Sequence, residues 1–163
     1  MEQHLEAVRE GTVVDDGQFL LVVGEDNPRS AAPKFSLYPL PTGCSGHRLC
    51  HRVMRLDMLT YLSIWRTNLC TGKWSKKDAE VRAMILSRPS TPWRRMILLG
   101  RQVVTAFGYP AATYFSTWTG GDKRFLLLPH PSGLNRLWNV DDSYGKAMDA
   151  LRELAPEMPW GKT

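Results

Sequence analysis

Three uninterrupted apolar runs, Phe19 to Val23, Met96 to Leu99 and Phe125 to Leu128, constrain the fold of this chain more than any other feature. Each is too short for a buried helix and carries no polar residue at alternate positions. Such runs suit strands covered on both faces, which is the condition of strands in a parallel sheet. Gly24, Gly100 and Pro129 close them. A fourth strand is predicted near Ile64 to Leu69.

Between the runs the apolar period changes from continuous to helical. Leu49, Val53, Leu56 and Leu59 recur at three and four residues, predicting an amphipathic helix over Gly46 to Leu59 whose exposed face carries Arg48, Arg52 and Arg55. Ser75 and Asp78 form a capping-box-like pair that opens a second helix through Val81, Ile85 and Leu86, stopping before Pro89. Arg101 to Phe107 reads as a short helix ended by Gly108 and Pro110. Ser143 to Leu154 supplies a closing helix with Ala147, Ala150, Leu151 and Leu154 on its apolar face, and Pro156 to Thr163 reads as a frayed tail. Strands alternating with helices imply an α/β three-layer sandwich: a mostly parallel central sheet of about four strands with helices on both faces. With 163 residues the chain is expected to form a single domain, its core spanning about 19 to 154.

Net charge points outward from the core. Lys and Arg outnumber Asp and Glu by 21 to 16, a balance that favours polyanionic partners and equally fits a merely solvated basic surface. No apolar run approaches the roughly 18 to 20 residues that span a bilayer, and Met1 to Glu10 lacks the apolar stretch of a secretion signal. A cytoplasmic monomer without membrane contact is expected. Cys44, Cys50 and Cys70 are too few for a disulfide scaffold, and their spacing with His47 and His51 is helical rather than that of a zinc site, so no metal is expected.

In α/β folds ligands bind beyond the carboxyl ends of the strands, so the residues following each run are the informative ones. They are Gly24-Glu25-Asp26-Asn27-Pro28, then Asn68, then Gly100-Arg101, then His130-Pro131-Ser132-Gly133-Leu134-Asn135-Arg136. A proline-bearing segment from Gly24 to Ser45, with Pro28, Pro33, Pro39 and Pro41, reads as a long irregular loop over the top of the sheet.

This set resembles the uracil-DNA glycosylase superfamily, whose members follow the first strand with a Gly-x-Asp-Pro, Gly-x-Asn-Pro or Gly-Glu-x-Pro turn and the last with His-Pro-Ser. The likeness extends through Ser45-Gly46-His47-Arg48-Leu49, Thr67-Asn68, Leu98-Leu99-Gly100-Arg101 and Ala106-Phe107-Gly108, in order, from about Phe19 to Leu154. It departs in the first motif, where an acid and an amide both precede the proline.

The resemblance implies a monofunctional DNA glycosylase that cleaves the N-glycosidic bond of a flipped pyrimidine and leaves an abasic site. Asp26 or Asn27 would orient the attacking water, and an acid there would also stabilise positive charge on the sugar. His130 would donate to O2 of the departing base. Glu25 would belong to the base pocket, Asn68 would read the pyrimidine edge through its amide, and Tyr38 or Phe35 would stack on the ring. Leu134 would fill the gap left by the flipped nucleotide, with Ser132, Gly133, Asn135, Arg101 and Arg136 meeting the DNA backbone. Arg48 and Arg52 read as a solvated helix face.

No cofactor is implied: an iron-sulfur cluster needs four cysteines, and no lysine is placed for a Schiff base. Arg29, Ser30, Ala31 and Ala32 stand where the most uracil-selective members have a tyrosine that blocks C5. A substituted pyrimidine, including the hypermodified bases of viral DNA, is therefore an expected target beside uracil. A base- or nucleotide-binding module without catalysis, and an enzyme acting on free nucleotides, are the competing classes.

Overall fold

The computed structural model describes residues 7–10, 19–27, 35–140 and 142–163. Arg29, Ser30, Ala31 and Ala32 lie outside them. The central sheet has five strands in the order β2-β1-β3-β5-β4: β1 Leu20–Asn27, β2 Trp65–Thr71, β3 Arg95–Leu99, β4 Thr117–Gly120 and β5 Lys123–Leu128. The first four strands in that order pair in parallel, and β4 pairs antiparallel with β5.

Period-2 alternation of the runs divides the core in two. Leu20, Val22, Ile97, Leu99, Leu126 and Leu128 face one layer, which contains α5 (Ser143–Leu154) and the segment from Leu49 to Leu62. Leu21, Val23, Met96, Leu98, Phe125 and Leu127 face the other, built from α3 (Lys76–Leu86) and α4 (Arg101–Ala106). The expected three-layer α/β sandwich is what forms, with one strand more than anticipated.

Local departures have physical causes. The amphipathic stretch over 46–59 is not one helix. α1 (Ser45–Arg48) passes into a π-helical segment, Leu49–Met54, which ends where Arg55 takes φ 52°; α2 (Met58–Leu62) then starts afresh, capped by Asp57. That break rotates Leu59 to the outside, 77% exposed, while Leu49, Val53 and Leu56 remain buried. α3 begins at Ser75 as its capping pattern predicts, the hydroxyl accepting from the Asp78 amide. The face it buries is Ala79, Ala83 and Leu86, small residues that let the helix lie close to the sheet, and Val81 is exposed.

The tail is docked rather than frayed. Trp160 is buried with its indole N–H donating to the Ala155 carbonyl, and the Gly161 and Thr163 amides donate to the Met54 and Arg55 carbonyls. β1 also runs on past Gly24, because β2 continues beside it and pairs with Asp26 and Asn27. The acidic residues therefore sit on strand rather than in a free turn.

Among the described residues no helix is long and apolar enough to cross a membrane.

Candidate active site

The sheet order reverses between β1 and β3, the place where open α/β sheets leave a crevice at their carboxyl edge. A cavity of about 650 Å³ opens nearby, at the ends of β1, β2 and β5. Glu25 and Asp26 from β1, Asn68 from β2, and His130, Ser132 and Gly133 from the loop after β5 line it together. Phe35, Leu37 and Tyr38 form its apolar side, continued by Leu40, Pro41 and Gly43 to Gly46. Residues distant in sequence and selected at strand ends thus share one hollow. Asn27 ends β1, and its side chain lies outside the described residues.

Glycines make the convergence sterically feasible. Gly24 pairs in register with Asn68, and a Cβ on it would stand 2.4 Å from the Asn68 amide oxygen. Gly100 holds φ +96°, open to glycine, and a Cβ there would lie 3.3 Å from both a Glu25 carboxylate oxygen and the His130 Cβ. The turn into α4 is thus the partition between the acid and the imidazole.

His130 is fixed at three points. Its Nδ1 accepts from the Ser132 amide at 3.1 Å, and its carbonyl accepts from the Asn135 side-chain amide at 3.1 Å and the Trp138 indole at 2.9 Å. Because Nδ1 is an acceptor, the neutral ring carries its proton on Nε2, leaving that N–H to donate to a ligand. Burial lowers the His130 pKa below the ordinary imidazole value, opposed by the negative charge of Asp26. The neutral form is the one this site favours. The Glu25 carboxyl is pushed above its ordinary range, first by burial and then by repulsion from Asp26.

The loop beyond His130 ties itself down. Ser132 Oγ accepts from the Leu134 amide and Asn135 Oδ1 from the Leu137 amide, so the Asn135 side chain is engaged within the loop at both ends. Leu134 is held at the tip, 92% exposed. An apolar side chain presented to solvent by a braced loop is not capping the core. Arg136 is exposed next to it, at the start of a 3-10 turn, Arg136–Asn139.

Arg101 is engaged by its own turn. Its guanidinium donates to the Pro110 and Ala112 carbonyls at 3.1 and 2.6 Å and lies 4.7 Å from the centre of the Tyr114 ring, bracing the turn after α4. Arg101→Gln should therefore lower thermal stability, measured as a fall in Tm.

The apolar wall is anchored from below by groups that sequence reasoning did not single out. Buried Arg66 donates to the Ser36 carbonyl at 3.0 Å, and the Tyr61 hydroxyl donates to the Leu37 carbonyl at 2.6 Å. Desolvation lowers the Arg66 pKa and raises that of Tyr61. Phe35 and Tyr38 meet edge to face with ring centres 5.7 Å apart, and both reach the cavity. Cys44 also lines it, donating to the Tyr38 carbonyl. Its neighbour in sequence, Cys50, is enclosed, with burial raising its thiol to about 11. Among the described residues no three His, Cys, Asp or Glu side chains are grouped to hold a metal. Neither a protein-family model nor a curated protein matches this chain.

Proposed function

We propose that this chain is a monofunctional DNA glycosylase, hydrolysing the N-glycosidic bond of a pyrimidine nucleotide flipped into the cavity at the carboxyl ends of β1, β2 and β5. The observation that carries this reading is His130. Its Nδ1 is occupied by the Ser132 amide, so the ring offers an uncharged Nε2–H in a cavity that also holds Glu25, Asp26 and Asn68.

Each group has work in that reaction. Asn68 offers a donor and an acceptor to a pyrimidine edge, while Phe35 and Tyr38 supply aromatic surface for its face. As the glycosidic bond lengthens, positive charge grows on the sugar and negative charge on the base. Asp26 opposes the first and orients water for attack at C1′; the His130 Nε2–H stabilises the second at O2. Water adds its oxygen to C1′ and the base departs with the bonding pair, to be protonated afterwards. Leu134 occupies the vacated place in the stack. Asn27 remains the alternative position for the water-orienting role.

The hollow is generous for an unsubstituted pyrimidine, and the residues after Pro28 are small apart from Arg29. The substrate range therefore includes pyrimidines substituted at C5, with hydroxymethyl or sugar groups, as well as uracil. This would serve either repair or attack on modified viral DNA.

Matched end-labelled duplexes carrying uracil, thymine, hydroxymethylated or glucosylated pyrimidines, incubated with the protein and then cleaved with alkali, test both points. Alkali-labile breaks at the chosen base are expected, with at least one C5-substituted base among the substrates. Cleavage of uracil alone would remove the open-pocket part. Breaks with none of these bases, alongside tight binding of the same duplexes, would favour a module that reads bases without cutting them.

A further inference from the structure

The basic face of α1 and the π-helical segment reaches the loop beyond His130 through Arg48. The Arg48 guanidinium lies against the backbone of Gly133: a Cβ on that glycine would be 3.6 Å from the nearest guanidinium nitrogen and 3.8 Å from its central carbon. Gly133 directly precedes the exposed Leu134 and itself lines the cavity. Arg48 is therefore at the root of the apolar tip, although the two are far apart in sequence.

Arg52 follows it four residues on. Desolvation, with repulsion from His51, Arg52 and Arg48, lowers the pKa of His47. The His47 and His51 rings are 4.6 Å apart, so positions four residues apart share a face here. Among the described residues neither guanidinium makes an ion pair or hydrogen bond, unlike Arg94, Arg95 and Arg101 elsewhere on the chain. A half-buried guanidinium at a loop root presents N–H donors in the planar fork that matches a phosphate.

We propose that Arg48 and Arg52 form a phosphate-binding ridge that grips the DNA backbone beside the flipped nucleotide, at the root of Leu134. The ridge and Leu134 then act together, one fixing the strand and the other replacing the extruded base. This rests on the reading of the cavity as a DNA-base site and adds the surface by which the strand is held.

The test uses the full chain and duplex DNA with a central tetrahydrofuran abasic analogue, which has no glycosidic bond, so binding is read apart from cleavage. Affinity is measured across a salt series for the wild type, Arg48→Gln, Arg52→Gln, the double variant and Arg48→Lys. Arg88→Gln, beyond the C-terminal end of α3 and away from the cavity, is the charge-matched control.

Loss of each phosphate contact should flatten the log-log salt slope by about 0.9, equivalent to about eightfold in affinity at about 0.1 M salt. The double variant should then lose between about tenfold and a hundredfold, Arg48→Lys should keep most of the slope, and Arg88→Gln should match the wild type. Unchanged slopes in the double variant, with wild-type binding still salt-sensitive, would overturn the ridge and leave the glycosylase reading standing. Equal losses in the double variant and in Arg88→Gln would also overturn it, showing only a general charge effect. No binding of DNA by the wild type would overturn both.

Discussion

Replacing His130 by alanine is expected to slow single-turnover base excision by about 10² to 10³, about 2.7 to 4 kcal/mol, while DNA affinity changes little. The asymmetry follows from when the interaction matters. In the ground state O2 of a pyrimidine is a neutral carbonyl and the Nε2–H adds an ordinary hydrogen bond. In the transition state the same oxygen carries much of the leaving base's charge, and the hydrogen bond strengthens accordingly. Asp26→Asn should show a comparable loss for the opposite charge, on the sugar. Retention of full activity by both a His130→Ala variant and an Asp26/Asn27 double alanine variant would remove the proposed mechanism.

The pH profile gives an independent reading of the same residue. Burial lowers the His130 pKa, so the folded protein binds this proton less readily than the unfolded chain. The neutral ring's contribution to stability is present above the ordinary imidazole value of ~6.5, and it is lost as pH falls from there toward the lowered pKa. Protonation of Nδ1 would also set its N–H against that of Ser132 and break their hydrogen bond. Excision should therefore hold its rate as pH drops through ~6.5 and decline only below it. A half-maximal rate at or above the ordinary imidazole value would contradict the uncharged ring. Glu25 has the opposite linkage: its raised pKa contributes stability below the ordinary carboxyl range, lost as pH rises through the elevated value.

What the chain declares in advance is its strongly patterned part. The continuous runs at 19–23, 96–99 and 125–128 became β1, β3 and β5, and Ala147, Ala150, Leu151 and Leu154 are buried along α5 as their spacing requires. β4 escaped notice because Thr117-Trp118-Thr119-Gly120 holds one apolar residue. As an edge strand, all it needs is Trp118 stacked on Phe125 across the pair. The helix over 46–59 was overextended because periodicity counts residues and not backbone turns: nothing in the local sequence marks the left-handed Arg55.

The candidate site divides in the same way. Strand ends pointed to Glu25, Asp26, Asn68 and His130, since a parallel sheet obliges those ends to meet. The wall from Leu37 to Gly46 and the Arg66 and Tyr61 anchors carried no periodic signal, because they depend on long-range contacts to single carbonyls. The bracing contacts of Arg101 carried no signal for the same reason: they run to single carbonyls of its own turn.

Two glycine substitutions should separate the group proposed to read the base from the wall that encloses the cavity. At Gly46 an added Cβ would stand 2.1 Å from the Tyr38 carbonyl oxygen and 2.4 Å from that of Leu37, both main-chain atoms of the cavity wall. Backbone cannot rotate aside as a side-chain tip can, so Gly46→Ala must move α1 away from the loop that Arg66 and Tyr61 anchor. Overpacking of this kind costs about 1 to 3 kcal/mol, which at this chain length is a fall of about 2 to 12 °C in Tm. At Gly24 the obstacle is instead the Asn68 amide oxygen at 2.4 Å, the tip of a side chain. Gly24→Ala should swing that amide and leave the sheet in place, with a smaller loss of Tm. A catalytic site tolerates such displacement poorly, so excision should fall by about 10² for a shift of about 1 Å. Thermal melts and single-turnover rates on the same two proteins make the comparison. If Gly24→Ala kept wild-type excision, Asn68 would not be the group that reads the base. If Gly46→Ala melted with the wild type, the close approach of α1 to the 37–38 backbone would not be needed to hold the wall.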